Sequence, residues 1–200
     1  MNELETKTVY FNQPGKVNTE RTLELAYDRT KALGIQQVIV ATTSGETAAR
    51  AAQLMKGLEV IAVTHSTGFG APDVQELTDE NRKGIVAAGG RILTCQHALG
   101  GVNRAVRKKL GTYQLDEIIA FTLRIFGQGI KVVAEMALMA ADAGLVRTDT
   151  PVMAVAGSGR GADTAAVLLP TNAQTFFDLK VLEIICRPSP DHIAFGGIEG

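Results

Sequence analysis

Four short stretches of this chain combine glycine with small polar residues in a way that suits an oxyanion. They are Thr43-Ser44-Gly45-Glu46-Thr47, His65-Ser66-Thr67-Gly68, the run from Gln96 and His97 to Gly100 and Gly101, and Gly157-Ser158-Gly159-Arg160-Gly161. Glycine lets backbone N–H groups come close to a ligand, and Ser and Thr hydroxyls rotate to donate. A helix start adds unpaired N–H groups and about half a positive charge. The Thr43–Thr47 stretch is the strongest of the four, because it follows an apolar run and opens a helix. It lacks the Gly-Lys-Ser/Thr ending of a Walker loop. Gly157-x-Gly159-x-Gly161 lacks dinucleotide-fingerprint spacing, and a strand rather than a helix is expected after it. The expected ligand is an anionic, phosphorylated small molecule, with these loop residues as its contacts.

Charged and titratable residues around the loops carry two readings each. A neutral imidazole at His65 or His97 would hold a ligand or transfer a proton as acid or base, or else bond to its own loop backbone. Arg160 either clamps a phosphate or sits exposed at a loop tip. Asp163 fits a structural role, accepting from loop N–H groups. Glu135 falls within an apolar helical segment and needs a partner, and Lys131 lies one turn before it. That pairing reads as structural. The sequence displays no nucleophile–base–orienter set and no acyl-transfer elbow. Cys95 and Cys186 lack metal-ligand spacing and read as unpaired thiols, so neither a metal nor a disulfide is expected.

These loops need a parallel sheet to bring them together. Residues 37–42 (QVIVAT), 59–64 (EVIAVT), 91–95 (RILTC) and 150–156 (TPVMAVA) are short β-branched runs that read as buried strands. Helical spacing lies between them. Leu23, Ala26, Tyr27, Thr30 and Leu33 mark one helix that starts near Asn18 and stops at Gly34. Thr78 caps another, with Asp79 and Glu80 in its first turn. Val102, Ala105, Val106 and Leu110 mark the face of a third, and Leu115, Ile118, Ile119, Thr122 and Phe126 that of a fourth. After Gly127 and Gly129 comes a helix that is apolar on most sides and therefore buried. Only residues 157–164 separate the 150–156 strand from another at 165–169, too few for a helical crossover, so these two run antiparallel. Residues 9–11 and 181–186 add short strands, and 188–200 reads as a loose tail. With strands and helices alternating, the chain reads as one α/β domain over 1–200, its loops converging where open α/β sheets bind ligands.

Composition agrees and excludes other classes. The chain has 200 residues, 46% hydrophobic and 20% charged, which is ordinary for a globular domain and leaves no need for a metal or disulfide to fold. A net charge of −1 provides no global field for nucleic acid. The basic cluster Arg104, Arg107, Lys108 and Lys109 has no interleaved aromatics and reads as a helix end. The apolar stretch 130–146 is broken by Lys131, Glu135 and Asp142 and is too short to span a bilayer. MNELETKTVYF lacks the basic start and apolar core of a signal peptide. A cytoplasmic location is expected, with room for a homo-oligomeric interface among the apolar helices of 121–145.

The run VIVATTSGETAARAAQLM at 38–55 resembles the C-terminal domain of pyruvate kinase, where a strand ends in a Thr-x-Ser-Gly-x-Thr/Ser loop and enters a helix. VIAVTHS at 60–66 looks like that domain's next strand. FNQPGKVNTERTLELA, SGETA, QHALGG, KVVAEMALMAADAGL and GADTA extend the likeness to the small stand-alone proteins of the pyruvate kinase α/β-domain-like family, as far as about Pro188. The resemblance implies a three-layer α/β/α sandwich, a mostly parallel sheet with one antiparallel strand. It also implies phosphate contacts at Thr43, Ser44, Gly45 and Thr47, and a flavin mononucleotide-type ligand. Pyruvate kinases often carry a basic residue where this loop has Glu46, which sets sugar-bisphosphate binding apart. The likeness includes nothing of the catalytic barrel, so pyruvate kinase activity is not implied.

Overall fold

β-branched runs become strands and three-to-four-residue apolar spacing becomes helix along most of this chain. The structure, a computed structural model, describes residues 3–189. Its strands are β1 (Val9–Phe11), β2 (Gln37–Ala41), β3 (Glu59–Val63), β4 (Arg91–Leu93), β5 (Val152–Ala156), β6 (Thr164–Leu169) and β7 (Lys180–Pro188). Its α-helices are α1 (Thr19–Leu33), α2 (Glu46–Leu54), α3 (Asp79–Ala87), α4 (Val102–Leu110), α5 (Leu115–Arg124) and α6 (Gln128–Asp142). The strands form one sheet in the order β1-β7-β6-β5-β2-β3-β4. β6 alone runs against its neighbours, antiparallel to both β5 and β7. The other pairs are parallel, so β2, β3, β4 and β5 all end on one edge.

Two apolar layers hold the sandwich together. On one face Leu23 and Ala26 of α1, Ala48, Ala51 and Ala52 of α2 and Ile85 of α3 pack on Val38, Val40, Val60, Met153 and Val155 of the sheet. On the other, Val133, Met136, Ala137 and Ala140 of α6 pack on Ile39, Ile61, Ala154 and Leu168. α6 comes unusually close to β6. A Cβ on Gly129 would lie 2.1 Å from Thr164 Oγ1, so only glycine fits there. That seating sets Lys131 and Glu135 near the edge of the sheet where β2, β3 and β5 end.

Several local expectations shift. Asn18 does not cap α1 with its side chain. A 3-10 turn over Lys16–Asn18 precedes the helix, and the Asn18 amide donates to Gln13 O at 2.7 Å instead. Thr78 does cap α3, accepting from Asn81 N. Leu33, placed on the buried face of α1, is largely exposed. The apolar faces assigned to α4 and α5 are mostly solvent-exposed too: α4 buries no residue, and Val102, Leu110, Leu115, Ile118 and Phe126 stand exposed. The reason is position, for α5 packs on α6 rather than on the sheet. α6 itself is buried along nearly its whole length. β7 reaches Pro188, and Ser189 N donates to Phe11 O at 2.8 Å. The expected loose tail, beyond that point, lies outside the described residues. Among the described residues no helix is long and apolar enough to cross a membrane.

Candidate functional site

The C-terminal ends of β2, β3 and β5 and the N-terminal half of α6 enclose a cleft of about 520 Å³. All four glycine-bearing loops contribute to it or border it. Thr43, Ser44, Glu46 and Thr47 line it after β2, His65 after β3, His97 after β4, and Gly157, Gly159, Arg160 and Gly161 after β5. Gly45 and Ser158 belong to the same loops but do not line the cleft.

The Thr43–Thr47 loop is built around Gly45, which has φ 97° at the N-cap of α2. Its missing side chain is required by packing, since a Cβ there would lie 2.5 Å from both Asn81 Cβ and Leu77 Cδ1. The Ser44 carbonyl is turned away from the cleft's chemistry, accepting from Thr78 N at 3.1 Å and from Asn81 Nδ2 at 3.0 Å. No side chain caps α2, so the N–H groups of its first turn keep their donating capacity. Glu46, which by sequence would repel a phosphate, pairs with Lys16 at 2.6 Å, both largely exposed. Its charge is thereby offset at the mouth of the cleft.

The late glycine loop is fixed by Asp163. This fully buried carboxylate accepts from Gly15 N at 2.8 Å and Ser158 N at 3.0 Å through Oδ2, and from the Thr164 hydroxyl at 2.8 Å through Oδ1. Ser158 therefore spends its N–H on the loop itself. Among the described residues Arg104, Arg124 and Arg160 line the cleft without meeting a carboxylate, whereas Arg21, Arg29, Arg50, Arg91, Arg107 and Arg147 are ion-paired. Counting lining residues, Lys16, Arg104, Arg124, Lys131 and Arg160 outnumber Glu46, Glu76 and Glu135. The cleft is thus electropositive in a chain of net charge −1.

The histidines meet. His65 Nδ1 bonds Glu76 Oε2 at 2.7 Å, and Gln75 Nε2 donates to the His65 carbonyl at 3.0 Å. The Phe69 ring packs against both imidazoles, 4.1 Å from His65 and 5.0 Å from His97 between centroids, the imidazoles themselves being 5.5 Å apart, with the Arg104 guanidinium 5.0 Å over the Phe69 ring. Burial pushes the His97 imidazole below its ordinary pKa. Glu135 opposes that shift, while His65, Lys131 and Arg104 reinforce it. Behind His97, Lys131 and Glu135 form a buried ion pair one turn apart, and Glu135 Oε1 accepts from Leu99 N at 2.9 Å. The anticipated Lys131–Glu135 pairing is present, and it lies in the wall of the cleft.

Sequence reasoning singled out the loops but missed Phe69, Glu76, Arg124 and the cleft-side position of Arg104. Of the basic cluster expected at a helix end, only Arg107, Lys108 and Lys109 occupy the last turn of α4, and Arg104 lines the cleft instead. A faint signal existed, because Arg104 falls in the first turn after Gly100-Gly101, where a cation does not complement the dipole. Among the described residues no group of three His, Cys, Asp or Glu side chains is arranged to hold a metal ion.

Residues 20–168 match the family model of the pyruvate kinase alpha/beta domain. Among solved structures, a pyruvate kinase from Cryptosporidium parvum is similar, at 14% identity and a TM-score of 0.38, over 69% of this chain and 20% of that one. A Cryptosporidium parvum pyruvate kinase in complex with ADP is similar at 16% identity and a TM-score of 0.38, over 85% of this chain and 24% of the other. The chain thus spans about a fifth to a quarter of the length of those pyruvate kinases.

Proposed function

The chain belongs to the pyruvate kinase alpha/beta domain family, and from that premise we propose that it binds a phosphorylated small molecule at the C-terminal edge of its sheet. The observation that carries the reading is the uncapped start of α2, with Thr43, Ser44 and Thr47 beside it, opening into a cleft that also holds Arg160. Helix-start N–H groups, rotatable hydroxyls and a guanidinium are the donors a phosphate dianion selects. The Lys16–Glu46 pair removes the main electrostatic objection. The cleft volume suits a metabolite- or cofactor-sized ligand.

Flavin mononucleotide is the ligand we name within that class. The phosphate would lie at the Thr43–Thr47 loop, where the donor set suits it. The planar ring would find its apolar, stacking partner in Phe69, flanked by His65 and His97. Phosphate-ester binding, not pyruvate kinase activity, is the function assigned.

One observation favours a second reading, a small enzyme acting on a phosphorylated metabolite. His65 Nδ1 is held by the Glu76 carboxylate at 2.7 Å, which orients the ring and leaves Nε2 as the nitrogen available to a ligand, the placement an acid/base residue requires. His97, neutral through burial, would be its hydrogen-bonding companion.

Calorimetry with flavin mononucleotide, riboflavin and inorganic phosphate tests the binding reading. A single charge-assisted hydrogen bond contributes about 1.5–3 kcal/mol, so riboflavin is expected to bind at least about tenfold more weakly than its phosphate ester. Equal affinity for the two flavins would remove the phosphate site. Binding of inorganic phosphate without either flavin would keep the site and exclude the flavin.

A further inference from the structure

We propose that Lys131 is a carbonyl-trapping amine, forming an imine with the aldehyde or ketone of a phosphorylated ligand held in the cleft. The inference rests on the phosphate-site reading above and extends it to a class of substrate, a phosphate ester that also bears a carbonyl group.

Three observations converge on this lysine. Lys131 lies in the cleft wall with His97, and its side chain is 5% exposed, whereas Lys16, the other lysine of the cleft, is 64% exposed at the mouth. A nucleophilic amine needs that desolvation, because water stabilises the ammonium form. Burial accordingly pushes the Lys131 ammonium below its ordinary pKa, opposed by the Glu135 carboxylate and its hydrogen bond and assisted by Arg124 and Arg104. Glu135, one helical turn on, bonds the amine and is itself held by Leu99 N–H at 2.9 Å. It is therefore positioned to accept the proton the amine must lose. A plain structural salt bridge would more economically be replaced by apolar side chains on so buried a helix.

The step balances without an outside oxidant or reductant. Lys131 passes a proton to Glu135, and the free amine attacks the carbonyl carbon. The C–N bond forms while the C=O π pair moves to oxygen, which takes that proton back. The carbinolamine nitrogen, still positively charged, next gives a proton to Glu135, which passes it to the hydroxyl; this leaves as water while the freed nitrogen lone pair forms the C=N bond, and the product is a protonated imine paired with the Glu135 carboxylate. One carbonyl compound and one lysine give one imine and one water.

The test uses the full wild-type chain with pyridoxal 5′-phosphate, a phosphorylated aldehyde, and with unphosphorylated pyridoxal. Borohydride then fixes any imine as a secondary amine, and peptide mass mapping locates it. The expected result is an adduct on Lys131 that forms much faster with the phosphorylated aldehyde and is suppressed by excess inorganic phosphate. Lys131→Arg, which leaves Glu135 a cation, should abolish that adduct and leave the slower surface adducts unchanged. A phosphate-suppressed adduct on Lys16 with none on Lys131 would keep the phosphate site and overturn the imine. An adduct on Lys131 that forms equally well with pyridoxal and ignores phosphate would keep the imine and overturn the phosphate site. Adducts on surface lysines alone, insensitive to phosphate, would overturn both.

Discussion

Asp163 and Gly15, 148 residues apart in the chain, are joined by a 2.8 Å hydrogen bond in which the Gly15 N–H donates to the carboxylate. The same carboxylate accepts from Ser158 N and the Thr164 hydroxyl. One buried acid thus ties the turn before α1 to the glycine loop after β5 and holds both against the mouth of the cleft.

Asp163→Ala should therefore cost about 3 kcal/mol of stability, since two backbone donors lose a charged acceptor in a dry site. Asp163→Asn keeps an acceptor oxygen and should cost less. Urea denaturation midpoints measure both. The alanine variant should also bind phosphate esters more weakly, because Gly157–Gly161 loses its anchor. An alanine variant as stable as wild type would show that the loop is held by other contacts.

Gly45 and Ser44 separate packing from the proposed phosphate contact. Gly45→Val would place a Cβ 2.5 Å from Asn81 Cβ and Leu77 Cδ1 at φ 97°. Backbone strain and overpacking each cost about 1–3 kcal/mol, so this variant should be markedly destabilised. Ser44→Ala removes one hydroxyl and should leave the melting temperature nearly unchanged while lowering affinity for a phosphate ester about tenfold. Calorimetry beside a thermal melt reads both quantities. Equal affinity in Ser44→Ala would take that hydroxyl out of the site.

His97 sets a stability window on the acid side. Its imidazole is depressed in the folded chain mainly by burial, against about 6.5 when unfolded. Above pH ~6.5 both states are neutral there and the residue makes no pH-dependent contribution. As pH falls below that value the unfolded chain takes up the proton first, so stability is lost progressively down to the depressed folded value. His97→Gln should flatten this part of the stability profile between pH 7 and 5, measured by urea midpoints. An unchanged slope would assign the acid sensitivity elsewhere.

The two thiols should differ sharply. Burial pushes Cys186 up to about 12, against smaller lowering contributions from Thr22 and Ala165, and raises Cys95 less. Cys186 is fully buried and Cys95 half-buried. Iodoacetamide at pH 8 should alkylate Cys95 slowly and Cys186 only after denaturation, as intact-mass and peptide analysis will show. Early modification of Cys186 would mean that β7 opens readily.

What was legible in the residues was mostly local or periodic. The strand–loop–helix at Thr43–Thr47 and the antiparallel β5–β6 hairpin follow from short-range spacing, because the seven residues between Ala156 and Thr164 exclude a crossover. Asp163 could be assigned its anchoring role from its type and its loop, although the partner Gly15 could not be foreseen. Apolar spacing on α4 and α5 misled, because periodicity marks a face without saying whether anything in the chain covers it. The cleft's inner wall was the least visible part. Phe69 and Glu76, Arg104, and Lys131 come from three separate segments, and their meeting depends on sheet order and on the close seating of Gly129 against Thr164. Even the Lys131–Glu135 pair, plain from its four-residue spacing, revealed its place in the site only once α6 was set on the sheet.

The most direct measurement of the central claim is a titration of the ¹⁵N-labelled chain with inorganic phosphate, followed by amide chemical shifts. The account predicts saturable shifts at the amides of Ser44, Glu46 and Thr47 at the start of α2, with smaller ones in Gly157–Gly161. Ser44→Ala should weaken all of them together. Shifts confined to the basic last turn of α4 at Arg107, Lys108 and Lys109, or none at the start of α2 under saturating phosphate, would contradict it.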